Sequence, residues 1–80
     1  MTIRVLLFAS YADAFGAPEL PLDVPDGSTV RQLLGSVRAD ARATNLPPAP
    51  LVAVNAEYAD LDRTLTDGDE VAIIPPVAGG

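Results

Sequence analysis

The sequence closes on two glycines set two residues behind two prolines: Pro75-Pro76-Val77-Ala78-Gly79-Gly80. A terminal carboxyl, with an ordinary pKa of about 3.3–3.7, is ionised at neutral pH and can attack an activated phosphate. The product of that attack is an acyl adenylate, which a sulfur donor converts to a thiocarboxylate. Glycine at the last two positions keeps the tip slim enough for a narrow channel in a partner enzyme, where any Cβ would add width and restrict φ and ψ. The two prolines cannot donate ladder hydrogen bonds, so they end the preceding strand and stiffen the exit of the tail. Chain ends are often loose and glycine-rich, and a terminal pair arises by chance in roughly 0.5% of chains. A leftover of expression engineering is another source of such an ending. The rigid Pro-Pro lead directly after a strand favours the chemical reading. It makes Gly80 the candidate reactive residue and Pro75, Pro76, Val77, Ala78 and Gly79 its delivery arm.

Little else in the chain offers chemistry. There is no Cys and no His among the 80 residues. That removes Cys–His and Ser–His–Asp catalysis, disulfides and the usual zinc sites, so sulfur for transfer has to come from outside. Asp60-Leu61-Asp62 lacks the spacing and glycine of a calcium loop and reads as a solvated turn. The acidic pair Asp69 and Glu70 gives no sign of a catalytic dyad. The length fits one domain spanning residues 1–80, which buries about 60–65% of the surface its unfolded form exposes. The net charge is −6, with five Arg and no Lys. Such a chain is repelled by nucleic acid and anionic membrane and suits a basic partner surface, although acidity also serves solubility alone. The missing lysine leaves no side-chain amine as an isopeptide acceptor. The apolar run Val5 to Ala9 is too short to span a membrane, and no signal peptide is evident; a soluble cytoplasmic protein is expected.

The elements that must position the tail follow from periodicity. Ile3 to Ala9 is rich in β-formers and reads as a first strand, with Ile3, Val5 and Leu7 on one face and Arg4, Leu6 and Phe8 on the other. Ser10 to Phe15 predicts a short helix, with Ser10 as N-cap and Gly16 as its stop. Glu19 to Val24 alternates as a strand, and Pro21 assigns it to an edge. Thr29-Val30-Arg31-Gln32 fits a capping box. Val30, Leu33, Leu34, Val37 and Ala41 then form one apolar helical stripe, with Arg31, Arg38 and Arg42 on a solvated side. Leu51 to Val54 is a strand, Asn55-Ala56-Glu57 a turn, and a shorter strand surrounds Tyr58. Gly68 is the turn residue of the loop that precedes the last strand, Glu70 to Ile74.

One amphipathic helix covers only one face of a four- or five-stranded sheet, which predicts an α+β two-layer roll. With the first and last strands as parallel central neighbours, the β-grasp arrangement, Phe8 and Ile74 come to the same end of the sheet. Leu6, Phe8, Ile74 and Tyr58 then form an apolar patch at the tail root, a candidate protein interface. The alternative is a patch that local side chains bury.

The stretches Leu51-Val52-Ala53-Val54-Asn55 and Leu65-Thr66-Asp67-Gly68-Asp69-Glu70-Val71-Ala72, together with the Pro75–Gly80 tail, resemble the small subunit of molybdopterin synthase. The first strand and the Thr29 helix start are similar too, so the resemblance spans essentially the whole chain. It implies a ubiquitin-like (β-grasp) sulfur carrier with a mixed sheet, one main helix and a flexible tail. An activating enzyme would adenylate Gly80 with ATP, and a sulfurtransferase donor would supply the sulfur of the thiocarboxylate. The tail would enter the large synthase subunit, in a heterotetramer with two large subunits. There the sulfur would pass to cyclic pyranopterin monophosphate, two carriers being consumed per molybdopterin. The carrier would bind no cofactor itself and would not be catalytic alone. The family's aromatic interface positions match Phe8 and Ile74. The chain departs from the family where Ile73-Ile74 replaces a common aromatic pair, and at Ala78, often Thr. Three further readings stand beside this one: a carrier for thiamine or cysteine synthesis, a ubiquitin-like protein modifier, and an interaction domain with an inert tail.

Overall fold

The last strand of the chain lies inside its sheet. The computed structural model describes residues 1–40, 42 and 50–75, and in it seven elements follow in order. They are β1 (Thr2–Leu7), α1 (Ala9–Phe15), β2 (Glu19–Asp23), α2 (Val30–Arg38), β3 (Leu51–Val54), β4 (Glu57–Ala59) and β5 (Glu70–Ile74). The five strands form one sheet in the order β2-β1-β5-β3-β4. β1 and β5 run parallel and the other three pairs are antiparallel. This is the expected mixed α+β sheet.

The inner face carries the core. Ile3, Val5 and Leu7 of β1, Val71 and Ile73 of β5, and Val52 and Val54 of β3 are all buried. They pack with Val30, Leu33, Leu34 and Val37 of α2 and with Tyr11 and Phe15 of α1. A fully buried Val, Leu or Ile contributes about 1.5–3 kcal/mol relative to an exposed one, so this cluster dominates the stability of the fold. The helical spacing that predicted the α2 stripe holds from Val30 to Val37. The helix itself ends at Arg38, and Ala41 lies outside the described residues.

The capping box is formed as its residue types require. Gln32 N donates to Thr29 Oγ1 and Thr29 N donates to Gln32 Oε1. Two more of the unpaired N–H groups at the start of α2 are satisfied across space, Val30 N by Arg63 O and Arg31 N by Leu61 O. Leu65, 2% exposed, anchors this long connection in the core.

One local expectation needs correction. Helix α1 begins at Ala9 and its N-cap is Phe8, not Ser10. Ala9 sits at φ 48°, in the left-handed region, and that turn hands the first carbonyl of the helix to Phe8, which accepts from Tyr11 N and Ala12 N. The first strand accordingly stops at Leu7. At the other end of α1 Gly16 takes φ 73° as expected, with Gly16 N donating to Asp13 O and Ala17 N to Ala12 O. The arginines of α2 and beyond, Arg31, Arg38 and Arg42, are exposed as the helical spacing predicts, and Arg31 and Arg42 among them find partners at the surface. Arg31 reaches Asp62 at 3.1 Å. Arg42 stacks 4.9 Å from the centre of the Phe15 ring and donates to Phe15 O. It also pairs with Asp40, and the hydrogen bond from its side chain helps pull the Asp40 carboxyl down to about 2. Tyr11, on the inner side of α1, lies within the core, 4% exposed.

Candidate functional site

The outer face of the sheet is assembled by alternation and register. On it, Leu6 of β1 lies opposite Ala72 of β5, Ala72 opposite Ala53 of β3, and Ala53 opposite Tyr58 of β4. These four make one apolar row across four strands. The two alanines are small, so the row is shallow between Leu6 and Tyr58. The next row toward the end of β5 pairs Ile74 with Leu51. Leu7 pairs with Ile73, and one further step sets Phe8 level with Ile74. Phe8 is 46% exposed, Leu51 51% and Tyr58 75%. Leu6 and Ile74 are half-buried.

The structure thus brings together Phe8, Ile74 and Leu6 as expected. Tyr58 lies one row lower, at the β4 edge, rather than at the tail root itself. Leu51 was missed. Its signal lay in the β3 alternation, which turns Leu51 and Ala53 away from buried Val52 and Val54, but its pairing with Ile74 depends on register.

Below the apolar rows the same face turns polar. Arg4 bonds Glu70 and lies 3.6 Å from Glu19. The base of β5 is clamped as well. Asn55 Nδ2 donates to Asp69 Oδ1 at 3.0 Å, and Glu70 N donates to Asn55 Oδ1 at 3.0 Å. Thr66 N donates to Asp69 Oδ2 at 2.8 Å. The Thr66 and Asn55 hydrogen bonds, the first from the backbone, hold the Asp69 carboxyl below its ordinary pKa. Asp69 and Glu70 therefore have separate structural partners and do not form a dyad.

At the apolar end Ile74 closes β5 and half-buried Pro75 follows it directly. β5 has hydrogen-bonded neighbours on both sides, so the tail leaves from the middle of the sheet. Pro76, Val77, Ala78, Gly79 and Gly80, the remaining expected site residues, lie outside the described residues.

A protein-family model, that of the ThiS family, matches residues 5–80. This chain belongs to the ThiS family. Among curated ThiS-like relatives, the molybdopterin synthase sulfur carrier subunit of Escherichia coli (strain K12) is 41% identical over 81 residues, covering 98% of this chain and 99% of the relative. The SAMP1 structure from Haloferax volcanii superposes with a TM-score of 0.85 at 30% identity, covering 100% of both chains. A putative molybdopterin converting factor, subunit 1, from Pyrococcus furiosus superposes with a TM-score of 0.81 at 26% identity, covering 96% of this chain and 99% of that one. Among the described residues no helix is long and apolar enough to cross a membrane.

Proposed function

We propose that this ThiS-family chain is the sulfur-carrier subunit of a molybdopterin synthase. The Gly80 carboxylate attacks the α-phosphate of ATP in an activating enzyme, and pyrophosphate leaves. Sulfur from a sulfurtransferase donor then displaces AMP, and the chain ends in a thiocarboxylate. Its tail, Pro75 to Gly80, enters the large synthase subunit and gives the sulfur to cyclic pyranopterin monophosphate, building the dithiolene of molybdopterin. Two carriers serve each product, in a heterotetramer with two large subunits. The chain holds no cofactor, ATP being consumed by the activating enzyme, and it is a co-substrate rather than a catalyst alone. It works in the cytoplasm, without nucleic acid or membrane as partner.

One observation carries this reading. β5, flanked by strands on both sides, ends at Ile74 beside exposed Phe8 and Leu51 and runs straight into Pro75. An exposed apolar cluster at the root of a slim, carboxylate-tipped tail fits a partner that holds the body while it receives the tip.

The test has two stages. Incubation with ATP, a cognate activating enzyme and a sulfur source is expected to raise the intact mass by the difference between sulfur and oxygen, located at Gly80. The thiocarboxylated chain is then offered to a large synthase subunit with the pterin precursor, and dithiolene product is expected. A chain ending at Val77 that still delivered sulfur would overturn the reading. Thiocarboxylate without dithiolene product would move the chain to thiamine or cysteine synthesis or to protein modification.

A further inference from the structure

We propose that Asp26 is a site of spontaneous backbone isomerisation, and that the fold guards Asp67, its counterpart in a matching turn, against the same reaction. The proposal stands apart from the carrier reading, and its test needs neither the tail nor a partner protein.

An aspartate followed by glycine carries its own reaction. The glycine nitrogen attacks Cγ of the aspartate side chain, in its acid form, and a C–N bond forms. The Cγ–O bond breaks, and that oxygen leaves as water with the carboxyl proton and the amide proton. The product is a five-membered succinimide ring. Water then adds to one of the two ring carbonyls. Opening on the side-chain side restores aspartate. Opening on the main-chain side leaves isoaspartate, whose chain runs through Cγ and is one methylene longer. The composition is unchanged and no co-reactant is needed. Glycine favours the attack because it has no side chain to hinder the approach and its backbone turns freely.

The chain has two such pairs, Asp26-Gly27 and Asp67-Gly68, in turns that match closely. Ser28 N donates to Pro25 O at 3.1 Å, and Asp69 N donates to Thr66 O at 3.0 Å. Gly27 has φ 82° and Gly68 φ 85°, while neither aspartate has a positive φ, so both are type II turns. All four residues are exposed. Sequence and local conformation therefore give the two pairs the same opportunity.

Tertiary bonds separate them. Asp67 Oδ1 accepts from Thr2 N at 2.7 Å, and Gly68 N donates to Thr2 O at 2.9 Å. The electrophile and the nucleophile are thus both tied to Thr2, at the start of a strand with neighbours on both sides. Ring closure there must first break both bonds. Asp26 Oδ1 has the Met1 nitrogen at 3.3 Å, yet its side chain remains 94% exposed. Gly27 N makes no hydrogen bond among the described residues. An extra methylene at Asp26 would enter the link between β2 and α2, just ahead of buried Ser28, whose O accepts from Leu65 N at 2.8 Å.

The full chain is held at neutral pH and physiological temperature, once folded and once in concentrated urea, and sampled over weeks. Peptide fragmentation that distinguishes isoaspartate from aspartate gives the rate at each position. Methylation by an isoaspartyl carboxyl methyltransferase with labelled S-adenosylmethionine gives the total. In the folded chain, isoaspartate is expected to accumulate at position 26 several-fold faster than at position 67. In urea the rate at Asp67 is expected to rise toward that of Asp26, which itself changes far less. Asp26→Glu, whose longer side chain closes a ring much more slowly, is expected to lose most of the methyl acceptance of the folded chain. Equal rates at the two positions of the folded chain would overturn the proposal. The same ratio in urea as in the folded chain would also overturn it, since the neighbours Pro25 and Thr66, and not the fold, would then set the difference. Full methyl acceptance in folded Asp26→Glu would do so as well.

Discussion

Leu51→Asp tests the docking face at the residue whose position depends most on the three-dimensional register. Leu51 is 51% exposed and sits opposite Ile74, the residue from which the tail departs. Fully burying a leucine contributes about 1.5–3 kcal/mol, so the exposed half leaves about 0.8–1.5 kcal/mol to be realised on docking. An aspartate forfeits that and brings a carboxylate into the contact, where an unpaired polar group costs about 1–3 kcal/mol. Together these predict a loss of about 2–4 kcal/mol of binding, roughly 30- to 700-fold in Kd. The fold should lose only the buried half of the side chain and some strand preference, about 1–2 kcal/mol. Leu7→Ala is the opposing control. Leu7 is 3% exposed on the inner face, and its truncation should cost about 2–5 kcal/mol of stability. Titration calorimetry of the full-length chain against the large synthase subunit gives the first number, and urea unfolding gives the second. An unchanged Kd in a folded Leu51→Asp chain would refute the docking face. Loss of cooperative unfolding in that variant would instead show that the outer face is core.

Three further outcomes are expected of the body of the protein. Tyr11→Phe removes a buried hydroxyl that finds no hydrogen-bond partner among the described residues, and should raise stability by about 1 kcal/mol, seen as a higher Tm. The β3–β4 turn holds Asn55 at φ 49° and Ala56 at φ 69°; Ala56→Gly relieves about 1–2 kcal/mol of left-handed strain against about 0.5–1 kcal/mol of added unfolded-state freedom, a net gain of up to about 1.5 kcal/mol. Asn55→Gly should go the other way, because Asn55 also bonds Asp69 and Glu70, and urea midpoints for the two glycine variants separate the effects. Asp69 has a depressed folded pKa, caused first by the Thr66 backbone N–H and then by Asn55. Its contribution is therefore fully present above the ordinary carboxylate pKa and is lost as pH falls through the lower folded value, so Asp69→Ala should flatten the acid limb of the stability profile and leave less to lose at low pH.

Local chemistry makes much of this legible in the sequence alone. β1 and β5 announce themselves by β-branched alternation, Pro21 marks the β2 edge, Thr29 and Gln32 fix the start of α2, and Gly16 and Gly68 sit where φ is positive. What escaped sequence reading depends on residues distant in the chain. Leu51 joins the outer patch because antiparallel pairing with β5 sets it against Ile74. Leu65 reads as part of a polar loop, yet the loop crosses the start of α2 and buries it. Ser10 is the better capping residue by type, but the left-handed turn at Ala9 moves the helix start ahead of it. Arg42 looks like one more solvated charge until α1 brings the Phe15 ring beneath it.

The parallel pairing of β1 with β5 is what ties the patch to the tail. In a parallel pair the C-terminal ends of both strands lie at the same end of the sheet, so Phe8, just beyond β1, must come level with Ile74, just before Pro75. An antiparallel pairing would place Phe8 at the Glu70 end and leave the tail root without its aromatic neighbour. Central placement matters in a second way. β5 is held by β1 on one side and β3 on the other, so a pull along the tail is resisted by two ladders, whereas β2 and β4 at the edges are each held by one. The proposed carrier role, in which the tail enters another protein and is withdrawn again, is best served by a root in a strand held on both sides. The order β2-β1-β5-β3-β4 supplies that root, and the same order sets Leu51 and Phe8 on either side of it.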